Sequence, residues 1–229
     1  MGIRILKGGM MTTVQDLGRY GYQSQGFSVA GVMDVRSFKI ANLLLDNPEN
    51  EAVLEITLIG PTLEFTSATI IAITGGDFQP TINGEPAPMY TALYMNKGDV
   101  LKFGSARTGS RGYIAFSSYL DIPVVMGSRC TNLKSGLGGF KGRKLEADDY
   151  IGFRIKRRYL PFFLSRKLDM DEFDQTEATL QVVMGPQDGM FSKQGIQTFL
   201  GSEYTVTNEF DRMGCRLEGP FIAPKIGRA

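Results

Sequence analysis

Hydrophobic positions recur at helical spacing in one early segment, where Val35, Phe38, Ala41 and Leu45 fall on a single face behind Asp34, a good N-cap residue. Asn47-Pro48 ends the pattern, because the residue before a proline is pushed out of the helical region. A helix over 34–47 is therefore predicted. From Ala52 onward the text changes to short β-type runs: Val53 to Leu58, Thr69 to Ile73, Ala92 to Met95, Val100 to Phe103 and Tyr113 to Phe116. Turn residues separate them at Gly60-Pro61, Gly75-Gly76, Asn83-Gly84, Gly98-Asp99 and Gly109. Many short strands with few helices predict a mainly β fold, a sandwich or barrel.

Asn42 falls on the apolar face of that helix, so its amide should be buried and should find hydrogen-bond partners, expected in the loop that precedes the helix. This loop runs from Thr13-Val14-Gln15-Asp16-Leu17-Gly18-Arg19 to Gly31-Val32-Met33-Asp34 and carries an amide, two carboxylates and an arginine between glycines. Two readings stand side by side. Gln15, Asp16 and Arg19 either tie down a tight turn, with Asn42 a satisfied core amide, or they contact a ligand.

A second stretch of chemical interest runs from Gly127-Ser128-Arg129-Cys130-Thr131 to Gly142-Arg143. Between Ile122 and Leu145 it holds no acid, while Arg129, Lys134, Lys141, Arg143 and Lys144 are cationic. Backbone N–H groups and guanidinium forks on such a loop can hold a phosphate or a carboxylate; the alternative is a mobile, solvated surface loop. Cys130 reads as a small buried residue.

The chain of 229 residues is 42% hydrophobic, enough for a real core in one large or two small domains. A net charge of +1 gives no reason to expect nucleic acid. Two cysteines cannot build a disulfide framework, the start Met1-Gly2-Ile3-Arg4 lacks a signal-peptide core, and no apolar run reaches the roughly twenty residues of a membrane span. A cytoplasmic setting is the resulting expectation. The absence of histidine excludes a Ser-His-Asp or Cys-His relay within this chain and histidine-ligated zinc. No phosphate-loop or dinucleotide motif is present, so any nucleotide binding would be of another type or come from a partner.

After Phe153 the composition breaks at Lys156-Arg157-Arg158-Tyr159-Leu160-Pro161-Phe162-Phe163, followed by the acidic run Asp169 to Glu177, which reads as an interdomain connector that packs on a neighbour. Beyond it Phe191 to Leu200, Tyr204 to Thr207 and Arg216-Leu217-Glu218-Gly219-Pro220 retrace helix, strand and Leu-Glu with Gly-Pro of the first unit. The expected organisation is a first unit over 1–155, a connector over 156–178 and the start of a related, incomplete unit over 179–229. About fifty residues cannot close a second barrel, so a truncated second unit is expected.

Taken together, Gln15-Asp16-Leu17-Gly18-Arg19, Gly31-x-Met33-Asp34, Ala41-Asn42-Leu43-Leu44, Leu54-Glu55-x-Thr57 with Gly60-Pro61, Arg111-Gly112-Tyr113, Gly127-Ser128-Arg129-x-Thr131 and Asp211-Arg212-Met213-Gly214 resemble the allophanate hydrolase subunit 2 family. This is also called the biotin-dependent carboxyltransferase family, and it includes the C subunit of bacterial 5-oxoprolinase and the antagonist of a sporulation-kinase inhibitor. The resemblance implies cyclophilin-like β-barrel units, one complete and a second truncated, with few helices. It further implies a subunit 1 partner, a lactam hydrolase component and ATP with magnesium shared with those partners, acting on a cyclic or urea-type amide. Biotin enters only in the carboxyltransferase reading, and this chain carries no Met-Lys-Met carrier motif. A third reading is a regulator that binds a kinase-inhibitor protein without turnover. Ser117-Ser118 before Asp121-Ile122-Pro123 and Asp46-Asn47 after the helix depart from the family pattern.

The resemblance does not assign roles, so these follow from residue type. Arg19, Arg129 and Arg143 are candidates for holding a carboxylate or phosphate, Asp16 or Asp34 for acid/base work, and Gln15 and Asn42 for orienting an amide substrate; no metal site is expected. Asp34 also has N-capping to explain it. On a ligand role for Arg19, its replacement by lysine would lower activity and leave the melting temperature nearly unchanged. Unpaired strands at Leu180 to Met184 and Tyr204 to Val206 would seek a partner or another copy of the chain, making a homo-oligomer possible.

Overall fold

The computed structural model describes residues 1–156, 159–169, 179–210, 214–222 and 225. Its contacts divide the chain into a unit Met1–Asp174 and a unit Gln175–Ala229. Arg157, Arg158, the acidic run after Asp169 and Asp211-Arg212-Met213 lie outside the described residues.

In the first unit, β1 (Gly2–Lys7), β4 (Thr62–Phe65), β6 (Thr81–Ile82), β7 (Glu85–Pro86), β9 (Val100–Lys102) and β11 (Tyr150–Gly152) form one antiparallel sheet in the order β11-β1-β4-β9-β6-β7. The other sheet, also antiparallel, takes β2 (Met11–Gln15), β3 (Val53–Thr57), β5 (Thr69–Asp77), β8 (Ala92–Met95) and β10 (Thr108–Phe116) in the order β2-β3-β10-β5-β8. The mainly β expectation holds. Alternation explains how the sheets face each other: Ile3 and Ile5 of β1 and Leu63 and Phe65 of β4 point inward and meet Leu54, Ile56, Ile71, Ile73, Ile114 and Phe116 of the other sheet.

The second sheet is covered on both faces, which is why β3 is buried at every position. Its outer face, with Val53, Ile70, Ala72 and Ala115, receives α1 (Val35–Leu44) through Phe38, Ala41 and Leu44. Full burial of a side chain such as Phe38 contributes roughly 1.5–3 kcal/mol. Asp34 caps α1 as expected, its carboxylate accepting from the Ser37 amide at 3.0 Å. At Asn83-Gly84 both residues have positive φ, the geometry that a two-residue hairpin between β6 and β7 requires.

The described part of the connector packs on this unit. Leu160 is buried with the α1 cluster, the Arg166 carbonyl accepts from the Ala92 amide at 2.9 Å, and the Leu168 amide donates to the Tyr90 carbonyl at 2.8 Å, so the edge at β8 is capped. In the second unit, α2 (Lys193–Gly201), capped by Ser192, precedes β12 (Thr205–Phe210), which pairs antiparallel with β13 (Cys215–Glu218). The order of helix, strand and Leu-Glu strand is the one expected, and Tyr204 directly precedes β12 with its ring 5.7 Å from that of Phe199. Leu180 to Met184 is not in a strand.

Candidate functional site

The end of β2 and the loop from Gly127 to Thr131 bring Gln15, Asp16, Arg19 and Arg129 into one cluster. Asp16 is buried and accepts from the Gly18 amide at 2.9 Å, the Ser128 hydroxyl at 2.7 Å and the Arg129 amide at 2.6 Å. Arg19 is fully buried: its Nε donates to the Val125 carbonyl, Nη2 to the Cys130 carbonyl at 3.2 Å, and Nη1 approaches the Cys130 sulfur at 3.6 Å. Gln15 donates to Thr13 Oγ1 and the Thr131 carbonyl, while its buried Oε1 has no partner. Burial pushes the Cys130 thiol up from its ordinary value, which keeps it protonated.

Asn42 lies apart from this cluster and finds its partners after the helix, not before it. Its Nδ2 donates to the Glu51 carbonyl at 2.8 Å and its Oδ1 accepts from Asn47 at 3.0 Å. The cause is local: the turn at Pro48, closed by the Glu51 amide on the Pro48 carbonyl, brings the chain back over the end of α1. The basic loop is folded on β2 through the Thr131 amide on the Val14 carbonyl and the Leu145 amide on the Thr12 carbonyl, with Ser128, Cys130 and Thr131 buried. It is therefore not a freely solvated loop. Its cations have separate partners: Arg129 Nε donates to the Ile122 carbonyl, Lys144 to the Met10 carbonyl, and Arg143 grips Asp149 with two hydrogen bonds of 2.7 Å.

The Arg143 guanidinium, assisted by the Glu146 amide, holds the Asp149 carboxyl below the usual carboxylate range. A depressed folded-state value contributes stability that is present above the unfolded pKa of about 3.9 and is lost as pH falls through the folded value. Asp149→Asn should thus lower the urea midpoint at neutral pH, and the gap from wild type should narrow as the pH falls below about 3.9. A gap independent of pH would place the effect elsewhere.

Asp34 stands at a different place, in a cleft of about 300 Å³ lined by Met33, Gly75, Gly76, Thr108, Gly109, Ser110 and Arg111. The cleft arises where β10 slips in register against β5 between Thr108 and Gly112, a bulge that opens the sheet beside the start of α1. Behind it lies a buried network that sequence reasoning did not single out as a site. Tyr113 Oη accepts from the Asp34 amide at 2.7 Å and donates to Glu55 Oε2 at 3.0 Å, and the same Glu55 oxygen accepts from the Met33 amide at 2.8 Å. Burial, with the Glu55 charge second, drives the Tyr113 phenol far up, so it remains a donor. The signal was a glutamate in the middle of a buried strand, and Arg111-Gly112-Tyr113 among the resemblance motifs.

A doubly covered antiparallel sheet with a glycine-walled cleft at a bulge, carrying one carboxylate and one guanidinium, defines a mainly β domain with a recess of small-ligand size. The sequence pattern of the carboxyltransferase domain, subdomain A and B, matches residues 25–227. The C subunit of 5-oxoprolinase from Escherichia coli (strain K12) is 32% identical over 224 residues, 96% of this chain and 69% of that protein. Urea amidolyase of Saccharomyces cerevisiae is 31% identical over 235 residues, 99% of this chain and 13% of that protein. Among solved structures, the urea carboxylase of Kluyveromyces lactis superposes with a TM-score of 0.84 at 28% identity, over 97% of this chain and 21% of that one. The chain belongs to the carboxyltransferase domain family, subdomain A and B.

Proposed function

We propose that this chain is a component of an ATP-dependent assembly that hydrolyses an amide C–N bond, with 5-oxoproline to glutamate the preferred reaction. One observation supports the choice: a protein named as the C subunit of 5-oxoprolinase is 32% identical over 96% of this chain. An unstrained lactam resists water, and this chain has neither a histidine base nor a phosphate-loop motif. ATP activation and the hydrolytic machinery are therefore assigned to partners, a subunit 1 protein and a lactam hydrolase.

The cleft supports this division. One guanidinium and one carboxylate line it, a donor set suited to an amide or a carboxylate and not to a magnesium triphosphate, which calls for a phosphate-binding loop or several cations. Within this reading Asp34 is the acid/base candidate that meets substrate. Asp16, Arg19, Gln15 and Arg129 position the loop, and Arg143 and Asn42 serve their own local contacts. A second reading, a carboxyltransferase component served by biotin on another chain, draws on the likeness to urea carboxylase.

The test mixes the purified full-length protein, its subunit 1 partner and the lactam hydrolase with ATP and 5-oxoproline, omitting each in turn. Glutamate should form only with all present. Equal yield without this protein would end the proposal, binding to the subunit 1 partner without turnover would support a regulator, and biotin-dependent ATP consumption with urea would support the second reading.

A further inference from the structure

Asp34 and Arg111 line the same cleft, yet neither forms an ion pair among the described residues. Arg111 Nε is buried with no hydrogen-bond partner, and Nη1 reaches only the carbonyl of the adjacent Ser110, at 3.2 Å. The Nη donors therefore have no acceptor across the cleft among the described residues, and a guanidinium so placed can donate to a group that enters. On Asp34 both carboxylate oxygens accept from Ser37, which leaves lone pairs on each for a further donor. The acceptor arm is fixed in place, because Glu55 and Tyr113 hold the Met33 and Asp34 amides from behind.

The walls set the shape of what can enter. A side chain on Gly76 would stand 2.5 Å from the Thr108 carbonyl oxygen, so this wall is bare backbone with no room for a Cβ of its own. The volume of about 300 Å³ is at the small end of ligand pockets and admits a five-membered ring.

We infer that this cleft binds the cis-amide edge of a small lactam or urea-type ligand, Arg111 donating to the carbonyl oxygen and Asp34 accepting the amide N–H. In such an edge a donor and an acceptor lie side by side, the complement of a carboxylate and a guanidinium that line one cleft. The inference rests on the reading of the chain as a component acting on an amide and adds the place and the residues of recognition. A lactam acid, urea and the ureido ring of biotin all carry this edge.

The test is a titration of the full-length protein, followed by NMR, with 2-pyrrolidone and N-methyl-2-pyrrolidone, then with 5-oxoproline, urea and biotin to separate the sources. The lactam should bind and its N-methyl derivative should bind much more weakly. Arg111→Lys, and Asp34→Asn, whose amide oxygen still caps α1, should each weaken lactam binding about tenfold or more. Asp34→Asn carries the test should Arg111→Lys fail to fold. Equal binding of the two pyrrolidones, no lactam binding, or unchanged affinity in a folded Asp34→Asn would overturn the inference. Selective binding combined with a failed glutamate assay would sink the 5-oxoproline reaction alone, and a working assay with unaltered Asp34→Asn binding would sink this site alone.

Discussion

Replacing Asp16 by alanine should lower stability by about 3–5 kcal/mol, seen as a fall in melting temperature of roughly 10 °C or more. The carboxylate is buried and is the common acceptor for the Gly18 and Arg129 amides and the Ser128 hydroxyl. Alanine leaves those donors without a partner in a place that water reaches poorly, so the cost is that of orphaned groups and not only of lost bonds. The Ser128 hydroxyl in turn accepts from the Cys130 amide, so the loss spreads along the loop to the carbonyl on which Arg19 rests. Asp16→Asn, which keeps one acceptor oxygen, should fall between. A loss below about 1 kcal/mol with a large loss of activity would turn the assignment round and make Asp16 a substrate contact.

The same geometry changes the expectation for Arg19→Lys. With the guanidinium closed off from solvent and all its contacts inside the chain, the variant should lose melting temperature as well as activity, because one ammonium cannot meet two carbonyls and a sulfur at once.

Much of the architecture was legible because it rests on local rules. The α1 cap at Asp34, the stop at Asn47-Pro48 and the short strands between turn residues follow from spacing and backbone preference, and the structure has them within a few residues. The family could be read from motifs spread along the chain. What could not be read was pairing at long range. Asp16 and Ser128 are 112 positions apart, and nothing in either segment says that the carboxylate holds the loop and leaves none of its reach to a ligand. Likewise the cleft lies where β10 slips against β5, a register event that no periodicity records, and Arg111 lines it beside that slip. Asn42 shows the intermediate case: burial followed from its place on the apolar face, but its partners depended on how the chain turned after Pro48.

A matched pair of glycines tests whether the basic loop is a folded scaffold. Gly136 and Gly142 both have positive φ, +60° and +70°, so alanine meets the same left-handed penalty of about 1–2 kcal/mol at either position. They differ in surroundings. A Cβ on Gly136 would meet nothing within 4 Å, whereas one on Gly142 would lie 1.9 Å from the Gly136 carbonyl oxygen and 2.3 Å from its carbonyl carbon. That obstacle is backbone, and it is held there because the Gly136 and Leu137 amides bond back to Leu133 and Asn132 while the Gly142 amide bonds to the Gly138 carbonyl. Relief requires the loop to open, which would pull Thr131 and Leu145 from their pairing with β2. Gly142→Ala should therefore be less stable than Gly136→Ala by more than about 2 kcal/mol, with Gly136→Ala losing only the backbone term. Urea unfolding of the two variants measures the difference directly, since the shared φ penalty cancels. Equal losses would mean that the loop is loose enough to absorb a methyl group at either site, and the fixed cluster of Asp16, Ser128 and Arg129 would have to be abandoned with it.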